Sequence, residues 1–133
     1  TEQMGAFIDA HSDEAQAEFT APLAKYKDEW LTMSLEVGGK AMEHPEEAGA
    51  AAVDYLMYSG YVVLAYFWAQ MAIVAQQKIA EGDGDTSFYE AKLHTARFYF
   101  QRLLPRTASH KESKQVNGRD NSRPFSFRRI EDD

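Results

Sequence analysis

Cysteine does not occur in these 133 residues. That excludes disulfide staples, thiolate nucleophiles and cysteine-ligated metal, and it suits a reducing, cytoplasmic setting. Proline is scarce: Pro22, Pro45, Pro105 and Pro124 are the four in the chain, so long helices meet few forced stops. Formal charge is missing altogether from Tyr55 to Ala75. The opening residues, TEQMGAFIDAHSDE, lack the basic and apolar regions of a signal peptide. Thr1 stands where an initiator methionine would, so the sequence reads as a processed product or as a piece of something longer. Missing as well are G-x-G-x-x-G, a P-loop, H-E-x-x-H and G-x-S-x-G. The length suits one domain with a single sizeable core.

What is present is organised around VDYLMYSGYVVLAYFWAQMAIVAQQKI, Val53 to Ile79. Only Ser59, Gly60 and Gln70 interrupt its apolar character between Tyr55 and Ala75. A helix that is apolar all round is the buried centre of a helical domain or a membrane span, and about 20 such residues suffice to cross a bilayer. Against a span, Tyr58, Tyr61, Tyr66 and Trp68 lie inside the run rather than at its ends. Gln70 would sit in hydrocarbon, and the flanking segments carry apolar stripes that need covering. The expectation is a buried helix of about 50 Å at 1.5 Å per residue, ending near Ala80 with Gly82 as a left-handed cap.

The flanks have helical period. Glu2 to Ala10 reads as a short helix, with a restart capped by Ser12. Phe19, Leu23, Tyr26, Trp30, Met33, Val37 and Ala41 then recur every three or four residues, one face of a helix. Pro22 either starts that helix or kinks it. Pro45 opens the central helix, and the small residues Ala48 to Ala52 suit close helix approach. Gly60 marks a place where a backbone or bulky ring packs close. Ser87-Phe88-Tyr89-Glu90 matches a capping box, leading into a stripe of Tyr89, Leu93, Ala96, Phe100 and Leu103. Together these predict an all-α domain, an up-and-down bundle of three long helices plus a short N-terminal helix over residues 1–113. A polar, aperiodic tail follows at 114–133.

Charge is lopsided within a net of −7. Residues 1–54 hold 12 acids and 3 bases, whereas residues 92–129 hold 10 bases and 2 acids. Neighbouring acidic and basic helices account for this without a ligand, and overall acidity with no matching motif argues against nucleic acid. The aspartates near Asp83 lack the glycine and glutamate of a calcium loop. Glu90 and His94 form a single helix pair with no second set, which is no di-iron site. Asp54, at the head of the central helix, is a candidate ion-pair or dipole partner. No catalytic or metal-ligating residue is assigned.

The block HPEEAGAAAVDYLMYSGYVVLAYFWAQMA, then a Gly/Asp loop, then FYEAKLHTARFYFQRLLPRTA, resembles the C-terminal domain of large flavin-dependent acyl-CoA dehydrogenases, over roughly residues 1–112. Enzymes called 3-methylmercaptopropionyl-CoA dehydrogenase are of that kind. The features that carry the resemblance are Glu47-Ala48-Gly49-Ala50 before Val53-Asp54-Tyr55-Leu56, and Phe88-Tyr89-x-Ala91-Lys92 before Ala96-Arg97-Phe98-Tyr99 and Leu103-Leu104-Pro105. The resemblance implies a non-catalytic domain that braces or covers a catalytic body. It implies no cofactor of its own, FAD in the parent enzyme, and α,β-dehydrogenation of an acyl-CoA thioester with electrons leaving to an electron-transfer flavoprotein. The partners implied are the rest of that enzyme and a possible homodimer, with no membrane span. On the basic last helix, Lys92, Arg97 and Arg102 are candidates for CoA phosphates. A second reading is a stand-alone helical module that pairs with another protein through its aromatic surface.

Overall fold

A computed structural model of the chain describes residues 1–82 and 84–109. The expected tail, 114–133, lies outside the described residues. Among the described residues four α-helices are set out in order: α1 (Glu2–Ala10), α2 (Glu14–Glu43), α3 (Ala48–Glu81) and α4 (Thr86–Phe98). No strand occurs among the described residues, so the chain is all-α.

The apolar face of α2 forms as its spacing predicts. Phe19, Leu23 and Met33 are buried and Tyr26, Trp30 and Val37 half-buried, while Ala41 is exposed where α2 outruns its neighbours. Pro22 lies inside a continuous α2. Its missing N–H leaves the Glu18 carbonyl without the usual helix donor, a local loss that packing on both sides outweighs. Hydrogen bonds fix α3 antiparallel to α2. Trp30 Nε1 donates to Ser59 Oγ at 2.7 Å, Ser34 Oγ and Tyr55 Oη lie 2.8 Å apart, and Gln76 Nε2 donates to the Ala15 carbonyl at 3.1 Å. Tyr99 Oη donating to the Tyr61 carbonyl ties the end of α4 to α3. Helix α1 closes one side, with Met4 buried and the Phe7 ring edge-on to Tyr66 at 5.4 Å.

Tyr58, Val62, Ala65, Ala69 and Ala72 form the inward line of α3, three or four residues apart and fully buried. Small side chains here let helices approach closely. The expected close-packing segment, Ala48 to Ala52, is instead mostly exposed at the head of the helix.

The helix ends correct three details. The cap of α2 is Asp13 rather than Ser12, and Pro45 lies in a turn, with α3 beginning at Ala48. Gly82 takes the left-handed conformation at φ 69, its amide reaching the Ile79 carbonyl, as expected of a helix-ending glycine. The cap of α4 is Asp85 rather than Ser87, because Asp85 Oδ1 accepts from both the Ser87 amide at 3.0 Å and the Ser87 hydroxyl at 2.6 Å. These bonds, hydroxyl first, hold the Asp85 carboxyl below the usual carboxylate range. A depressed folded value adds stability that is present above the unfolded value of about 3.9 and is lost as pH falls through the folded one. The Ser87 amide resonance is therefore expected to titrate below about pH 3.9, and Asp85→Asn, which still caps, is expected to abolish that titration.

The third long helix is broken. Beyond Phe98 the chain winds as a π-helical turn, Tyr99–Leu103, then a 3-10 turn, Leu104–Arg106. Pro105 lacks an N–H, and in an α-helix its ring would strike the Gln101 carbonyl, so the wider turn before it relieves both faults. This changes which residues reach the core. Tyr99 and Leu104 are buried, whereas Phe100 and Leu103, expected inside, are half-buried. Five residues of α-helix would set Tyr99 and Leu104 about 140° apart, and the smaller rotation per residue of π winding brings them closer together on one side.

Candidate docking surface

The opposite side of α3 is bare. Val53, Leu56, Met57, Val63, Leu64, Phe67, Met71 and Val74 follow helical spacing along it and are exposed, Leu56 by 70% and Phe67 by 51%. Gly60 sits in the middle of this flank, also exposed. A Cβ built on Gly60 meets nothing within 4 Å. Contrary to expectation, no close ring or backbone among the described residues needs that glycine. By length and composition α3 is long and apolar enough to cross a membrane. Its inner line is nevertheless spent on α2 and α4, so the apolar excess is confined to one side.

At the lower end of the flank, α3 and α4 leave a shallow groove of about 270 Å³, lined by Gln70, Met71, Val74, Ala75, Phe88, Tyr89 and Lys92. It opens because Phe88, in the first turn of α4, lies half out in solvent. Lys92 Nζ stands over the Phe88 ring, 5.3 Å from its centre. An apolar groove with one cation at its rim suits one bulky apolar side chain of a partner. It does not fit a flavin dinucleotide, which fills a pocket several times larger and requires many polar contacts.

The three basic candidates are not brought together. Lys92 and Arg97, five residues apart on α4, lie about 140° apart around the helix. Lys92 rims the groove. Arg97 is turned to α2, where its Nε and Nη2 donate to Glu18 Oε1 at 2.6 Å and Oε2 at 3.3 Å. That hydrogen bond raises the Arg97 pKa. Arg102 is exposed on the π turn. The pairing of Arg97 with a residue 79 positions away had no signal in the sequence. As a pair with both side chains about 40% exposed, it contributes less than about 1 kcal/mol.

On the other side of α3 the tyrosine hydroxyls are paired, whereas the buried Gln76 Oε1 has no hydrogen-bond partner among the described residues. Tyr58 Oη donates to Glu29 Oε2 at 2.9 Å, and burial, reinforced by that carboxylate, pushes the phenol well above its ordinary range. Burial does the same to Tyr99. Neither phenol is poised to ionise, so both act as fixed donors that lock helix register. Asp54 is half-buried near the head of α3. Among the described residues no three histidine, aspartate or glutamate side chains gather as a metal-binding group.

These features define an all-α domain in which α3 has a buried inner line and an open apolar flank. Residues 1–121 match the model of the family described as acetyl-CoA dehydrogenase C-terminal like, and the chain belongs to that family. The match runs beyond residue 113, the expected end of the helical domain. No curated protein matches the chain.

Proposed function

We propose that these residues are the non-catalytic C-terminal helical domain of a flavin-dependent acyl-CoA dehydrogenase, with α2, α3 and α4 as the arms of an up-and-down bundle. Its role is to brace the larger enzyme through a docking contact made by the bare flank of α3. The parent reaction is α,β-dehydrogenation of an acyl-CoA thioester, carried out by FAD and residues outside this chain. The observation that carries the reading is the flank itself. A line of half-exposed leucine, methionine, valine and phenylalanine on either side of Gly60 is a larger apolar patch than monomers usually expose. Membership of the acetyl-CoA dehydrogenase C-terminal-like family supports an acyl-CoA dehydrogenase as the larger protein.

The test is Leu64→Glu with Phe67→Glu in the intact dehydrogenase. The two carboxylates sit on the flank and leave the inner line of α3 untouched. Helicity is expected to be unchanged, while the midpoint of thermal inactivation falls by roughly 5 °C or more as the buried contact is lost. An unchanged midpoint together with an unchanged hydrodynamic radius would remove the bracing role.

A further inference from the structure

We infer that the flank of α3 is covered by the same flank of a second copy, the two helices antiparallel and crossing at Gly60. This rests on the docking role proposed above and names the partner.

The flank is nearly palindromic about Gly60. Met57 and Val63 stand three residues to either side, Leu56 and Leu64 four, and Val53 and Phe67 seven. These six residues are between 37% and 70% exposed. A two-fold axis through an antiparallel helix pair sets each residue before Gly60 opposite its counterpart after it. Met57 then meets Val63, Leu56 meets Leu64, and Val53 meets Phe67, each pair apolar and each made twice, as a self-complementary interface requires.

Gly60 supplies a second argument. An exposed glycine inside a long helix costs about 1 kcal/mol against alanine. Nothing among the described residues explains it, since a Cβ there would stand in open space. At a helix crossing the missing side chain lets two backbones approach more closely than the usual 8–10 Å between axes, as small residues do in tightly packed helix pairs.

Size and charge agree. With Met71, Val74 and Phe88, the flank offers roughly 800 Å² on each copy, one side of a standard interface. The antiparallel arrangement directs the head of one α3, preceded by Glu46 and Glu47, toward the end of the other that carries Lys78, itself 3.6 Å from Glu81, with Lys92 beside it on α4. It also sets the two helix dipoles head to tail.

The absence of cysteine from these residues makes the test clean. Gly60→Cys is introduced into the intact polypeptide that carries this domain, which is treated with a mild oxidant and compared with the unsubstituted polypeptide on a non-reducing gel. At a crossing on the axis the two introduced thiols fall within the 4.4–6.8 Å Cα separation of a disulfide, so most of the chain is expected to shift to double mass, independently of dilution. Because a side chain at the crossing could loosen it, a mixture of Met57→Cys and Val63→Cys chains is the second measurement. The heterodisulfide is expected to exceed either homodisulfide. Leu35→Cys, 80% exposed on α2, is the collision control and is expected to stay monomeric. If the thiol at position 60 forms no dimer but is shielded from maleimide, another part of the polypeptide covers the flank. That outcome overturns the second copy and keeps the docking role. If it forms no dimer and labels as fast as the thiol at position 35, both are overturned. Equal cross-linking at positions 35 and 60 also overturns the crossing.

Discussion

Phe19→Ala is expected to cost about 3–5 kcal/mol of folding stability, the range for truncating a fully buried aromatic side chain. Phe19 has no exposure and meets the Phe100 ring edge-on at 5.7 Å, with Leu23 on the next turn equally hidden. It joins α2 to the irregular end of α4, so its loss opens a cavity between elements that cannot close by sliding one helix, α4 being anchored through Tyr99. Domains of this size have about 5–15 kcal/mol in hand, so the variant sits near the edge of folding. Urea denaturation followed by far-UV circular dichroism reads the change. Phe88→Ala is the matched control, since that ring is 54% exposed, and about 1 kcal/mol or less is expected. Equal losses at the two positions would mean that the burial assigned to Phe19 is wrong.

Val62→Asp and Leu64→Asp are expected to part company completely, though two positions separate them. Val62 is fully buried on the inner line of α3 and Leu64 is 51% exposed on the flank. A lone carboxylate at position 62 is set within the hydrophobic core cluster and must be taken from water, a penalty of several kcal/mol on top of the lost valine. The expected result is a largely unfolded chain at neutral pH. The sign of its pH dependence follows. Burial raises the folded value of the introduced carboxyl above the unfolded value near 3.9, so the penalty is small below that pH and grows as pH rises through it. Partial refolding below about pH 4 is the signature. Leu64→Asp is expected to keep full helicity at every pH in that range and to lose the interactions of the flank alone. If both variants remain folded, α3 has no inner line.

The contrast between these two positions shows what periodicity reveals and what it hides. The stripe of α2 was legible because polar residues interrupt it on every turn, so Phe19, Leu23 and Met33 stand out. The length of α3 was legible from its missing charges and from Gly82. Its two sides were not. Tyr58 and Leu64 are alike to any pattern that counts apolar residues, and what separates them is which neighbours this chain supplies. The expectation of a fully enclosed α3 therefore gave way to a half-covered one, and the close neighbour expected at Gly60 is not found among the described residues. The end of α4 was misread for a different reason. A period of 3.6 residues places Phe100 and Leu103 inside, and a π turn ahead of Pro105 replaces them with Tyr99 and Leu104. The proline was visible, but the direction in which the helix would yield was not. For the site, the chemistry of Lys92, Arg97 and Arg102 was plain, while their dispersal depended on Glu18 from a distant helix.

The π turn at Tyr99–Leu103 has a bearing on how relatives of this domain should be aligned. Inserting or deleting one residue in an α-helix rotates everything beyond it by 100°, which would carry a core residue to the surface. A five-residue turn followed at once by a tighter 3-10 turn is a place where the chain already departs from that count. Leu93 and Ala96 before it, and Leu104 and Thr107 after it, keep their places inside. A family member one residue shorter here could run as plain α-helix with the same two pairs facing inward. The gap in such an alignment belongs between positions 99 and 103, and the segments on either side should be matched without one.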